Sequence, residues 1–366
     1  METSKRVLGE EHPDTLTSIA NLTSTYQNQG RWNDAEALGV VVVETSKRVL
    51  GEEHPDTLTR ITNLASTYWD QGRWNDAEAL EVAVMETSKH VLGEEHPDTL
   101  TRIGNLASTY SNQGRWNDAE VLQVAVMETS KRVLGEEHPS TLGSINNLAL
   151  TYWNQGRWND AEALEVAVME TSKRVLGEEH PDTLTRINNL ALTYLNQGCW
   201  NDAESLQVAV METSKRVLGE EHPDTLTSIA NLASTYHYQG RWNNAEALLV
   251  AVMETSKRVL GEEHPDTLMS ISNLALTYWN QGRWNNAEVP QVAVMETSKR
   301  VLGEEHPSTL TRITNLALTY WRQGRWNDAE ALLVAVIETS KRVLGEEHPF
   351  TLMRITNLAL MYQNQG

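Results

Sequence analysis

The stretch His12-Pro13-Asp14-Thr15-Leu16-Thr17-Ser18-Ile19-Ala20-Asn21-Leu22 opens a unit that the chain repeats almost verbatim. Its His-Pro pair returns at His54, His96, His138, His180, His222, His264, His306 and His348, each 42 residues after the last with no insertion. Self-similarity at a fixed period of this length marks an array of stacked supersecondary units. The units run 12–53, 54–95, 96–137, 138–179, 180–221, 222–263, 264–305 and 306–347, with a partial ninth at 348–366. Residues 1–11 read as the end of a preceding second helix, so the domain expected is a single array over 1–366.

Two glycines, Gly30 and Gly51, cut the first unit into two segments of helical length. Segment A, about Asp14 to Gln29, places Leu16, Ile19, Leu22, Thr23 (Ala in later units) and Tyr26 on one arc of an amphipathic helix. Pro13 suits a first turn, and Asp14 suits an N-cap or a first-turn anion. Segment B, about Asp34 to Leu50, carries its stripe at Ala35, Leu38, Val42 and Val49, widened by Val40 and Val41. Asn33 and Glu36 have capping-box spacing. Lys47 and Arg48 suit the C-terminal end of the dipole, and Gly51 the left-handed C′ conformation. No segment alternates with period two, so no strands are expected. The fold class expected is all-α: a right-handed α-solenoid of tandem helix-turn-helix units.

The composition fits a copied unit, with twelve Trp against one Phe. A net charge of −20 argues against nucleic acid and against an anionic membrane surface. The one cysteine, Cys199, can form no intrachain disulfide, which fits a reducing compartment. There is no signal-peptide core and no apolar run of membrane-spanning length, so a cytoplasmic location is expected.

The stretch Asn63-Leu64-Ala65-Ser66-Thr67-Tyr68, followed by Gln71-Gly72-Arg73-Trp74-Asn75-Asp76-Ala77-Glu78, resembles the tetratricopeptide (TPR) signature. The unit closing on Val91-Leu92-Gly93-Glu94-Glu95-His96-Pro97-Asp98 resembles the kinesin-light-chain subtype, and similar near-identical arrays occur at the C-terminal end of fungal NOD-like (NB-ARC) receptors. The resemblance covers the whole chain. It departs from the family in mid-helix B, where a bulky aromatic often stands and this chain has Gly39, Glu81, Gln123, Glu165, Gln207, Leu249, Gln291 and Leu333. The chain has no heavy-chain-binding heptads and no nucleotide-binding Gly-Lys-Ser/Thr loop.

Comparison among the copies separates fixed from variable positions. Positions 17, 20, 21, 24, 27 and 28 share one arc of helix A, which the resemblance implies lines a concave ligand groove. The position of Gln27 reads Trp69, Ser111, Trp153, Leu195, His237, Trp279, Trp321 and Gln363 in later units. Position 20 varies freely, and position 24 toggles between Ser and Leu. Trp is a favoured interface anchor, so Trp69, Trp153, Leu195, His237, Trp279 and Trp321 are candidate ligand contacts. Asn63, Asn105, Asn147, Asn189, Asn231, Asn273 and Asn315 occupy an invariant position on the same arc. Their amides suit either a ligand backbone, as the resemblance implies, or a neighbouring repeat. Trp32, Trp74 and their equivalents lie at the A–B turn and are expected to be packing residues.

These features point to a non-catalytic protein-interaction scaffold that binds a basic or neutral-aromatic peptide or protein, as an adaptor or the sensing part of a larger receptor. An alternative is a structural segment that self-associates end to end, since both ends leave apolar faces uncapped. No catalytic motif, cofactor or metal site is expected. Glu-Glu-His-Pro-Asp reads as helix punctuation, and Cys199, in place of the turn arginine, as drift. Pro290, in place of the core leucine at Leu38, should remove a backbone hydrogen bond and bend its helix.

Overall fold

The computed structural model describes residues 6–364; the expected preceding helix at 1–11 therefore falls partly outside the described residues, with 6–8 helical. Helices follow one another in pairs and, among the described residues, there is no strand. The A helices are α1 (Pro13–Asn28), α3 (Pro55–Asp70), α5 (Pro97–Asn112), α7 (Pro139–Asn154), α9 (Pro181–Gln197), α11 (Pro223–Tyr238), α13 (Pro265–Asn280), α15 (Pro307–Arg322) and α17 (Pro349–Gln363). The B helices are α2 (Trp32–Leu50), α4 (Trp74–Leu92), α6 (Trp116–Leu134), α8 (Trp158–Val175), α10 (Trp200–Val217), α12 (Trp242–Val259), α14 (Trp284–Val301) and α16 (Trp326–Val343). They form two compact units, Met1–Gln155 and Gly156–Gly366. In each unit, successive helices pack in chain order as helix-turn-helix repeats.

The start of each A helix is set by histidine rather than by Asp14. His12 is the N-cap, and its Nδ1 accepts the Asp14 backbone N–H at 3.2 Å. The same bond recurs at every His-Pro pair, with Ser140, Ser308 and Phe350 as donors where Asp is absent. The cap uses only the backbone of the donor residue, which explains why Asp can be replaced there. Pro follows at N1, where its missing N–H costs nothing.

The A–B turn is a Schellman closure. Gly30, at φ 70°, donates its N–H to Gln27 O at 2.9 Å, and Arg31 N–H reaches Tyr26 O at 2.9 Å. This corrects the reading of helix B. The helix starts at Trp32, two residues early, and its N-cap Arg31 makes no side-chain cap bond. The Asn33/Glu36 capping box does not form, because the Schellman turn leads straight into the helix and Glu36 bonds to the next repeat instead. Gly51 has the expected positive φ, 98°, but its ψ of 159° lies outside the left-handed helical region. The chain leaves α2 extended, towards the next His-Pro cap.

The core follows the predicted stripes with two shifts. Leu16, Ile19, Ala35 and Val42 are buried, and so is Thr23. Val49 and Val41 are exposed, at 39% and 55%, while Val43 and Ser46 are buried in their place. Ser46 closes on Val42 O, a bond that lets a hydroxyl enter the core. Helix α14 continues through Pro290 without a break, even though the proline withholds the N–H due to the carbonyl four residues earlier.

Candidate functional site

Repeats are joined at their A–B turns by a polar clasp. Glu36 accepts from Gln71 Nε2 at 2.8 Å and from Arg73 Nη1 at 2.7 Å, while Arg73 also bonds Asp76 and lies over the Tyr68 ring at 4.2 Å. Equivalent bonds join Gln113 and Arg115 to Glu78, Gln239 and Arg241 to Glu204, and Gln323 and Arg325 to Glu288. In the fifth repeat Cys199 replaces the arginine, and Gln197 still reaches Glu162, at 2.7 Å. Among the turn tryptophans, Trp158, Trp200, Trp242 and Trp326 lie 37–42% exposed.

A second contact lies in mid-helix B, where the family aromatic is missing. The position is buried in every B helix. Its glutamines face a threonine of the next A helix: Thr151 Oγ1 donates to Gln123 Oε1 at 2.5 Å, Thr235 to Gln207 at 2.5 Å and Thr319 to Gln291 at 2.7 Å. The two glutamates in this position, Glu81 and Glu165, are 7% and 3% exposed, and each has an Oε2 with no hydrogen-bond partner. Burial pushes both carboxyls up to about 7.

The variable arc of helix A lies where neighbouring A helices meet. Residues on it pair sideways between adjacent repeats. Gln27 Nε2 bonds Asp70 at 2.6 Å, Asn154 Nδ2 bonds Ser111 Oγ at 3.2 Å, and Asn231 Nδ2 donates to Asn188 Oδ1 at 3.0 Å. The fixed Asn thus makes an inter-repeat bond in at least one copy. Asn63, Asn105, Asn147, Asn189, Asn231, Asn273 and Asn315 are all half-buried.

The candidate aromatic positions divide. Trp69 is 38% exposed. Trp153, Trp279, Trp321 and His237 are half-buried rather than solvent-facing, and the indole nitrogens of Trp153 and Trp279 are enclosed without a hydrogen-bond partner. Leu195 is only 7% exposed, so its side chain contributes to packing rather than to an open surface. At Gln27, Ser111 and Trp279 the following repeat's A helix reaches across this position, through Asp70, Asn154 and Arg322. Arg322 packs against two of these rings. Its guanidinium lies 5.3 Å from the Trp279 ring centroid and 5.1 Å from that of Trp321. This contact, and the serine-or-arginine choice at the position of Ser18, escaped the sequence reading; the choice was visible in the copies.

Family models bear on the repeat directly. One, described as a tetratricopeptide repeat, matches residues 15–56, 57–98, 99–140, 141–182 and 309–350, and a second of the same description matches 184–254 and 228–291. The chain belongs to the tetratricopeptide repeat family. TPR arrays of known structure are similar to it. The kinesin-light-chain-type, nearly identical TPR-like repeats of Podosopora anserina are 30% identical over 56% of this chain and 97% of that one, with a TM-score of 0.48. BtubC (BKLC) of P. vanneervenii is 21% identical over 63% and 92%, with a TM-score of 0.51. A Rap protein complexed with competence and sporulation factor shares the fold at 10% identity, over 96% and 98%, with a TM-score of 0.56. No curated protein matches the sequence. Among the described residues, no helix is long and apolar enough to cross a membrane.

Proposed function

We propose that this TPR chain is a non-catalytic scaffold whose A-helix faces bind a polypeptide segment rich in basic side chains. The observation that carries the reading is Arg322 lying over Trp279 and Trp321. A guanidinium over an indole face gains cation–π attraction, more as water is excluded. The tryptophans at this variable position therefore suit cations, and the net charge of −20 adds long-range attraction for a basic ligand. The half-buried Asn row beside them offers amides to a ligand backbone wherever they are not engaged between repeats. Each compact unit presents its own such face, with Trp69 and Trp153 in the first and His237, Trp279 and Trp321 in the second. A role as adaptor or as the sensing part of a larger receptor follows from the same property.

Panning the chain against a random peptide library tests the reading. Enrichment of sequences with Arg or Lys beside aromatic residues is expected. That enrichment should disappear for a Trp153→Ala, Trp279→Ala, Trp321→Ala variant of unchanged helicity. Acidic winners, or winners indifferent to the three substitutions, would overturn it.

A further inference from the structure

The position of Ser18 carries, from repeat to repeat, one of two residues of very different reach. It is Arg60, Arg102, Arg186, Arg312 and Arg354 in five repeats, and Ser18, Ser144, Ser228 and Ser270 in four. The arginines point into the gap between one repeat and the next. Arg60 is 6% exposed and donates from Nη1 to Ser46 Oγ of the preceding B helix at 2.7 Å; Arg312 does the same to Ser298 at 2.6 Å. Burial pulls the Arg60 guanidinium below its usual range, and Asp56, one turn earlier, partly offsets this. A buried guanidinium is costly unless partners meet it; the gaps of Arg60 and Arg312 supply one in the serine hydroxyl, while Arg102 Nη1, Arg186 Nε and Arg354 Nη1 are enclosed without a partner.

Where serine stands, the gap is open. The serine hydroxyl turns back on its own helix: Ser144, Ser228 and Ser270 donate to the carbonyls of Thr141, Thr225 and Thr267 at 2.7–2.8 Å. A cavity is left in each case. Beside Ser228 it measures about 230 Å³ and is lined by Val210, Ser214, Leu218 and Asp224. Beside Ser144 it measures about 200 Å³ and includes Ser130 and Leu134, with Ser140 in the place of the aspartate. Beside Ser270 it is about 80 Å³, with Ser256 and Asp266, and Met269 at the rim where Thr227 stands in the first. Ser130, Ser214 and Ser256 correspond to Ser46 and are each 2% exposed, but the arginine that would reach them is gone.

We propose that these three cavities each accept an arginine side chain of a bound polypeptide, which replaces the guanidinium that the array supplies to itself in the other gaps. The proposal rests on the A-helix-face reading above and gives it a specificity. Thr185 and Asn188, at the mouth of the largest cavity, belong to that face. Val210 and Leu218 cover the methylene stem of an entering arginine, as apolar walls do for long basic side chains. Ser214 accepts from the planar fork, and Asp224 supplies the opposite charge. A lysine reaches the same depth with a compact ammonium and no fork. The Ser144 cavity lacks the carboxylate and the Ser270 cavity is narrow, so the Ser228 cavity binds most tightly.

The test uses the intact chain and fluorescein-labelled Gly-Ser dodecapeptides carrying two Arg, two Lys or two citrulline residues, read by fluorescence anisotropy. The variant Ser144→Arg, Ser228→Arg, Ser270→Arg closes all three cavities with the residue that five sister repeats already carry, and its circular dichroism and urea midpoint are measured beside the parent's so that a loss of binding is not a loss of fold. The Arg peptide is expected to bind the parent about tenfold or more tightly than the citrulline peptide, and to lose about tenfold or more on the triple variant. Ser228→Arg alone accounts for the largest part of the loss. Equal binding of Arg and citrulline peptides, or Arg binding indifferent to the triple variant, overturns the proposal. If Trp279→Ala and Trp321→Ala abolish binding while the triple variant does not, the pockets fail and the A-helix-face reading stands. If no peptide binds the parent, the pocket proposal falls, and library panning decides the A-helix-face reading separately.

Discussion

Two kinds of contact join one repeat to the next, and copying has treated them differently. At the A–B turns, Glu36, Gln71 and Arg73 form a clasp that recurs almost unchanged and stays in reach of solvent. In the middle of the B helices the contact is dry, and there the residue changes freely between Gly39, Glu81, Gln123, Leu249 and their equivalents. Exposed ion pairs contribute little net free energy, whereas a buried polar group is costly unless it is bonded. The constant layer therefore sets register, and the variable layer decides how firmly each pair of repeats holds. A TPR array with near-identical units can in this way have interfaces of quite unequal strength.

The buried glutamates are where that contrast should be largest. Below about pH 4.5 the Glu81 and Glu165 carboxyls are protonated whether the chain is folded or not, and their burial is tolerated. Between about pH 4.5 and 7 the unfolded chain ionises while the folded carboxyls stay protonated, so stability is lost across that window; once pH has passed about 7 the folded chain also holds the charge, and stability stays low. Glu81→Gln and Glu165→Gln keep the shape and remove the charge. Each should stabilise its interface by roughly 3 kcal/mol at pH 8 and by nothing resolvable near pH 4. Urea midpoints of parent and variants, followed by circular dichroism across pH 4–8, check it; a gain that does not depend on pH would show that the charge is not its source.

Pro290 weakens the same dry layer through the backbone. It lies beyond the first turn of α14, where it removes one ladder bond and stands in place of a leucine. Pro290→Leu should stabilise by about 3 kcal/mol and, unlike the glutamate variants, equally at every pH. Hydrogen exchange should slow most around the Asn286 carbonyl's new partner in α14. An unchanged urea midpoint would mean that the surrounding side chains already compensate.

How much of this the sequence revealed follows from which interactions are local. The helix pairs, their glycines and the A-helix stripe are set by spacing along one chain segment, and Leu16, Ile19 and Ala35 are buried where periodicity puts them. Glu36 was misread because its partners lie 35 and 37 residues ahead in the next repeat, while the capping-box pattern is judged within four residues. Leu195 was read as a candidate ligand contact for the same reason: its burial is set by the packing of the array and not by its own helix. The role of Trp153 in ligand contact rests on the peptide experiments above. The histidine caps were legible only as punctuation, since imidazole is not among the favoured N-cap side chains.

On the constant side of the comparison, Cys199→Arg asks what one missing clasp is worth. The substitution restores a guanidinium beside Tyr194, Glu162 and Asp202, the partners that Tyr236, Glu204 and Asp118 or their equivalents provide elsewhere. The urea midpoint should rise, by less than in Glu165→Gln at pH 8. The ionic part of the gain should shrink in high salt while the stacking on the ring persists.

The smallest effect belongs to the second set of surface pairs, which join the end of a B helix to the loop before its own A helix. Arg258 bonds Glu221 through both terminal nitrogens, at 2.9 and 2.8 Å, but the two side chains are about 60% exposed. Glu221 is held below the usual carboxylate range by the guanidinium hydrogen bonds, so it is ionised throughout the neutral range. Geometry this good is nevertheless reached in water, where ordering two long side chains offsets most of the attraction. The array contains its own precedent: His90 stands where other B helices have this arginine, and α4 is as long as its neighbours α2 and α6. Arg258→Ala should therefore leave the urea midpoint within experimental error at physiological salt. A loss comparable with the gain from Cys199→Arg would place the energy of the array on its surface and reverse the ranking of the two layers.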